Sequence, residues 1–338
     1  MTTVPSTLSK APLAVPDQDR PGLWADYVEL TKARLSAMVV LTAAVGFMVA
    51  APSPIPWTAL VAAVVGTALA AGSAAVLNQL WEARRDALME RTRFRPLPAR
   101  RIGTIHALSI GVLLGYAGTM VLAMGANLLA AGLALGNILL YVLAYTPMKP
   151  RTTLNTLVGA VCGAVPPMIG WAAATGSLGR GAWLLAAVLF VWQLPHFLSL
   201  AWLYRDDYRR GGHAMLPVVD VRGRVTCEVI VLTSALLVPL GLLIALAGLA
   251  GPLYAAVALV LGLGMSVFAV RMLASPTDAR ARAVFLASIT YLPLLMFAML
   301  VDRGTPPTSA DRGITDTRAA VTAVLAADGE PVRTVAAP

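Results

Sequence analysis

Apolar runs of about 17 to 23 residues recur along this chain between short polar breaks, and each is long enough to cross the roughly 30 Å hydrocarbon layer of a bilayer as a helix. They fall at about 35–51, 57–77, 104–122, 127–146, 154–174, 182–204, 226–249, 252–273 and 284–301, which predicts nine spans. No stretch alternates apolar and polar residues with a period of two, so a membrane β-barrel is excluded, and helices are left to satisfy the backbone within the bilayer. The expected fold is all-α, a polytopic membrane protein built as a bundle of nine transmembrane helices. Composition agrees: 58% of residues are apolar and only 13% charged, too few charges for a soluble domain.

Charge gives the bundle a direction. The links after spans two, four, six and eight carry the clustered basic residues, from Arg84 to Arg101, then Lys149 and Arg151, then Arg205 to Arg224, then Arg271, Arg280 and Arg282. The links after spans one, three, five and seven carry only Arg180. By the positive-inside rule the first set is cytoplasmic, which puts the N-terminus inside and the C-terminus outside the cell membrane. The formal charge of +9 therefore sits in short loops, where anionic lipid and an anionic substrate are the expected partners and nucleic acid is not. Residues 1–24 are rich in Pro, Ser, Thr and Ala and read as a disordered cytoplasmic tail. Residues 25–301 form the membrane domain, and 302–338 read as a second disordered tail, outside the cytoplasm. The first 25 residues lack the basic-then-apolar pattern of a cleaved signal, so the first span is expected to stay. Cys162 and Cys227 support neither a disulfide framework nor a metal knuckle.

The candidate chemistry gathers at the basic links. If the second helix continues past its apolar run, Asn78, Glu82 and Asp86 fall at i, i+4 and i+8 and project oxygens from one face. Arg91 and Arg95 follow, a combination suited to Mg²⁺ and the phosphates it brings. Lys32 and Arg34 stand at the mouth of the first span, and Lys149 and Arg151 sit in a proline-bounded turn after the fourth; each pair reads equally as topology anchors or as phosphate contacts. In the fifth span the glycines serve close packing, while Pro166 and Pro167 are expected to shape a cavity. Gln193 and His196 interrupt the apolar sixth span, where polar groups are either helix-to-helix hydrogen-bonding residues or functional. His196 lies about three turns before a second acidic pair, Asp206 and Asp207. Two acidic clusters ending two helices could hold Mg²⁺ on opposite sides of one diphosphate and so favour its departure. His106 and His213 are read as interfacial and without a role.

Taken together, these residues make the chain resemble the UbiA-type intramembrane prenyltransferases, and within them the branch that farnesylates heme. The resemblance runs from about Leu30 to Val301 and is carried by Asn78-Gln-x-x-Glu82-x-x-x-Asp86-x-x-Met89-x-Arg91-Thr92-x-x-Arg95-Pro96. Support comes from Tyr145-Thr146 with Lys149 and Arg151, from Pro166-Pro167-x-x-Gly170-Trp171, from Trp192-Gln-x-Pro195-His196-Phe197, and from Asp207-Tyr208 with Met215-x-Pro217. The chain departs from the pattern twice. Arg210 stands where the second cluster has its further Asp, and Lys32-Ala-Arg34 replaces Lys-Pro-Arg. The resemblance implies farnesyl diphosphate and heme B as substrates, Mg²⁺ as activator, and heme O and diphosphate as products. Asn78, Glu82, Asp86, Asp206 and Asp207 would be metal ligands, with Asn78, Glu82, Asp86 and Asp207 catalytic. Lys32, Arg34, Arg91, Arg95, Lys149 and Arg151 would bind diphosphate, and His196 would contact heme. A downstream heme A-forming enzyme is an expected partner. Two other readings stay open here: a prenyltransferase for a quinone precursor or another aromatic acceptor, and a cation-binding transporter.

Overall fold

A computed structural model describes residues 22–304, so both expected tails lie almost wholly outside the described residues. Among the described residues nine helices are long and apolar enough to cross a membrane. They are α2 (Ala33–Ala50), α3 (Trp57–Asp86), α4 (Thr104–Gly125), α5 (Leu128–Leu139) with its continuation, α7 (Asn155–Thr175), α8 (Arg180–Leu203), α11 (Arg224–Leu246), α12 (Pro252–Ala274) and α13 (Asp278–Val301). The continuation of α5 is a π-helical stretch, Leu140–Tyr145, and a last turn, α6 (Thr146–Met148). Short helices α1 (Leu23–Leu30), α9 (Arg205–Arg210) and α10 (Leu216–Val219) lie in the links, where no periodic apolar face announced them. Leu23 and Trp24, expected in the tail, open α1, and Asp302 accepts from the amide of Tyr254 at the start of α12.

Sequential helices pack side by side, and α13 returns to α2 to close the ring. The tightest seam joins α2 to α7. Gly46 faces the Pro167 carbonyl and Gly170 faces the Ala43 carbonyl so closely that a Cβ at either position would collide with backbone. Small residues thus let two backbones touch in an environment where the bilayer supplies no hydrophobic drive between helices. The proline pair divides its work: Pro167 packs against Gly46, and Pro166 borders a cavity of about 30 Å³ shared with Thr67 and Asn137.

One helix outruns the membrane. At 30 residues α3 is about 45 Å long, against a hydrocarbon layer of roughly 30 Å. Trp57 starts it directly after Pro56, and its apolar run is exhausted at Leu77, so the surplus turns carry Asn78 to Asp86 beyond the run. That overhang is what stands the polar face at the mouth of the bundle.

Candidate active site

The helical continuation of α3 puts Asn78, Gln79, Glu82 and Asp86 all in buried positions. Three of them meet a cation, each delivered by a different link. Lys32, from the turn between α1 and α2, donates to Asn78 Oδ1 at 3.1 Å. Lys149, from the turn after α6, stands 2.9 and 3.0 Å from the two carboxylate oxygens of Glu82. Arg95, from the link between α3 and α4, donates to Asp86 Oδ2 at 2.8 Å. Three links far apart in sequence therefore converge on one helix face.

Local structure explains how each cation arrives. Lys32 adopts a left-handed backbone, φ 49°, which an L side chain rarely takes without support. The amide of Asn78 is oriented by Thr146, whose hydroxyl accepts from Asn78 Nδ2 at 3.0 Å and donates to the Tyr141 carbonyl at 2.8 Å. The π-helical stretch before Thr146 is the kind of local rewinding that recurs at functional sites. Lys149 lies over the Tyr145 ring, and its carbonyl accepts from the Ala214 amide at 2.7 Å, which ties the turn after α9 to the site. Arg95 is placed by a run of turns from Met89 to Ile102, with Thr92 donating to the Asp86 carbonyl at 2.9 Å.

The electrostatics leave a positive surplus. Three basic side chains face two carboxylates and a neutral amide, so the surplus is one charge when Lys32 is protonated. Burial first, and then the charges of Arg95 and Lys149, lower the Lys32 ammonium from 10.5 to about 7. For Lys149 burial pulls the same way, but Glu82 together with Tyr145 and Tyr141 outweighs it and the value rises. A buried site crowded with positive charge is relieved by an anion.

The second acidic pair is split. Asp206 is 72% exposed at its side chain and pairs with Arg209, away from the cradle. Asp207 is buried and accepts from the backbone amides of Glu90 and Arg91 at 2.9 and 3.1 Å and from Arg210 at 2.7 Å. Burial would raise its carboxyl; those amides and Arg210 hold it below the usual range instead. Asp207 thus anchors the link that carries Arg91 and Arg95. Arg91 lies over the Tyr204 ring, 5.1 Å from its centroid. Arg34 and Arg151 are exposed and make no ion pair among the described residues.

Hard oxygens at one-turn spacing suit Mg²⁺, which dehydrates reluctantly and takes one or two carboxylates together with substrate phosphates. Among the described residues no group of three or more His, Cys, Asp or Glu is placed to hold a metal ion.

His196 lies elsewhere, on α8. Its ring stacks between Trp192 and Phe285 at 5.1 and 5.0 Å, and Nδ1 is 2.8 Å from Ser288 Oγ. Ser288 spends its one hydroxyl proton on the Phe285 carbonyl at 2.6 Å, so it accepts from Nδ1–H. That fixes the tautomer and leaves the Nε2 lone pair uncommitted among the described residues. Gln193, one turn earlier, serves structure: its amide donates to the Leu189 and Ala160 carbonyls in space left by Gly163.

Sequence reasoning gave no role to Gln79, to Thr146 or to His213. His213 is buried in the turn after α9, against the Tyr208 ring. A Gln beside the candidate ligand Asn78 was a visible signal, whereas the reach of Thr146 depends on a π-turn that no pattern reveals.

Known proteins resemble this chain in sequence and in fold. The chain is 44% identical over 287 residues to a protein named protoheme IX farnesyltransferase from Solibacter usitatus, covering 82% of this chain and 98% of that one. It is 43% identical over 303 residues to the protein of the same name from Koribacter versatilis, covering 86% and 97%. Among solved structures it is similar to a digeranylgeranylglyceryl phosphate synthase, with TM-score 0.70 and 15% identity over 82% of this chain and 98% of that one. It is also similar to a UbiA homologue from Archaeoglobus fulgidus bound to DMAPP and Mg²⁺, with TM-score 0.63 and 15% identity over 82% and 99%. At such identities the structural likeness is one of fold. With the UbiA prenyltransferase family pattern matching residues 39–299, this integral membrane protein belongs to that family.

Proposed function

We propose that this chain transfers the farnesyl group of farnesyl diphosphate to a vinyl group of heme B, with addition of water, to give heme O and diphosphate. The observation that carries the site assignment is the convergence of Lys32, Lys149 and Arg95 on Asn78, Glu82 and Asp86. These pairs hold cations and oxygens ready, buried and close together. When diphosphate enters, the three cations turn from their oxygens to the phosphates, and Asn78, Glu82 and Asp86 become free to hold Mg²⁺. Bound there, the metal supplies electrostatic stabilisation of the departing diphosphate. Arg91, Arg34 and Arg151 add to the anion's neutralisation, and Asp207 keeps the Arg91–Arg95 link in place.

Departure of diphosphate leaves an allylic cation, which the vinyl π-bond of heme attacks to form the new carbon–carbon bond. Water adds to the resulting cation beside the porphyrin ring and loses a proton to solvent, leaving a hydroxyethylfarnesyl substituent. The apolar bundle protects the first cation from premature hydrolysis. His196 contacts the acceptor: aromatic rings bracket its imidazole, and its bare Nε2 suits heme iron. The reaction takes place in the cell membrane among its lipids, with the site on the cytoplasmic side, the N-terminus inside and the C-terminus outside. A heme A-forming enzyme is the expected consumer of the product.

The test is expression in cells that make heme B and lack heme O, followed by pigment extraction and mass analysis. Farnesylated heme is expected; its absence, with the protein present in the membrane and farnesyl diphosphate available, overturns the assignment. His196→Ala should raise the KM for heme about tenfold and leave the KM for farnesyl diphosphate unchanged. Equal losses for both substrates would make His196 structural.

A further inference from the structure

We infer that Gln79 is a positioning residue for farnesyl diphosphate binding, acting through Lys32. The inference rests on the reading of Lys32 as a diphosphate contact and goes beyond it.

Gln79 is wholly buried on α3, next to Asn78. Its amide nitrogen donates to two successive carbonyls, Glu29 at 3.2 Å and Leu30 at 2.6 Å, at the C-terminal end of α1. A helix end leaves its last carbonyls short of internal partners; the Glu29 carbonyl also accepts from the Lys32 amide at 3.1 Å, while no described backbone amide reaches that of Leu30. Lys32 follows two residues later in its left-handed conformation, and this reversal of the chain aims Nζ at Asn78 Oδ1. Gln79 and Asn78 therefore grip the same segment from adjacent positions: Gln79 holds the backbone before the turn, and Asn78 receives the side chain after it.

A purely stabilising role fits less well. Gln79 Oε1 is buried without a hydrogen-bond partner among the described residues, so what one end of the amide gains is offset by desolvation at the other. The hydrophobic docking of α1 is already supplied by Leu30, buried with Val76, Leu97 and Ile102, and by the Arg101–Asp26 ion pair at 2.8 Å. Beyond the bond from the Lys32 amide to the Glu29 carbonyl, what these contacts leave open is the rotation of the Leu30 carbonyl, on which the direction of Lys32 depends. Gln79 fixes it.

The experiment is a double-mutant cycle in the full-length enzyme reconstituted in membranes, reading the KM for farnesyl diphosphate, the KM for heme and inhibition by inorganic diphosphate. Gln79→Leu removes the amide, and Gln79→Glu keeps its shape while removing the donors, so a packing defect of one variant does not decide the outcome. Each single variant is expected to raise the KM for farnesyl diphosphate and weaken diphosphate inhibition about tenfold, with the KM for heme unchanged. In a Lys32→Ala background, either Gln79 change should add less than about twofold, because the group it positions is gone. Fully multiplicative losses, or an equal rise in the KM for heme, would overturn the inference and leave Lys32 as a diphosphate contact. If Lys32→Ala alone changes neither the KM for farnesyl diphosphate nor diphosphate inhibition, the reading of Lys32 fails, and the inference with it.

Discussion

Two acidic clusters, one closing α3 and one opening α9, differ in what their side chains meet. On α3 the acids stand four residues apart, so their side chains share one face and converge with Asn78 on a single buried cradle. On α9 the acids are adjacent, and residues one apart on a helix point about 100° away from each other. Asp206 therefore turns to solvent while Asp207 turns inward, where backbone amides and Arg210 occupy its oxygens. Spacing, more than acid count, decides what a cluster can do. One cluster forms a buried face met by three basic side chains; the other holds a loop.

Three substitutions test this contrast. The largest effect is expected for Asp86→Ala, which removes a candidate metal oxygen and leaves Arg95 without its partner. Heme O formation should fall by on the order of a thousandfold or more, with the protein still folded in the membrane. Near-normal turnover in a pigment assay would take Asp86 out of the cradle. An intermediate effect is expected for Asp207→Asn, which loses charge and part of its grip on the Glu90 and Arg91 amides. Activity should drop about tenfold while the Mg²⁺ concentration giving half-maximal rate stays the same. A marked rise in that concentration would instead give Asp207 a metal, and the two clusters would then share one job. The smallest effect is expected for Asp206→Asn, whose exposed pair with Arg209 is worth little. A rate within about twofold of the parent is anticipated, and a loss as deep as that of Asp86→Ala would show that the α9 helix turns inward when substrate binds.

Much of the site was legible in the chain because its parts are local. Asn78, Glu82 and Asp86 announce themselves by one-turn spacing at the end of an apolar run. The pairing was not legible. Nothing in the pattern says that Lys32 belongs to Asn78, Lys149 to Glu82 and Arg95 to Asp86, because each partner arrives from a link whose path is set by helix packing. Arg34 and Arg151, equal to Lys32 and Lys149 as sequence candidates, end exposed. Family membership also ends the transporter reading.

Composition and short-range spacing were enough for the nine apolar spans, the overhang of α3 and the shared face of its oxygens. Helical periodicity and the thickness of a bilayer account for these without reference to any distant residue. Tertiary packing alone settled which cation meets which oxygen, that Asp207 is an anchor, that Ser288 fixes the tautomer of His196, and that Gln79 grips the end of α1. Each of these depends on residues between nine and 117 positions apart, brought together by the helices around them rather than by spacing along the chain.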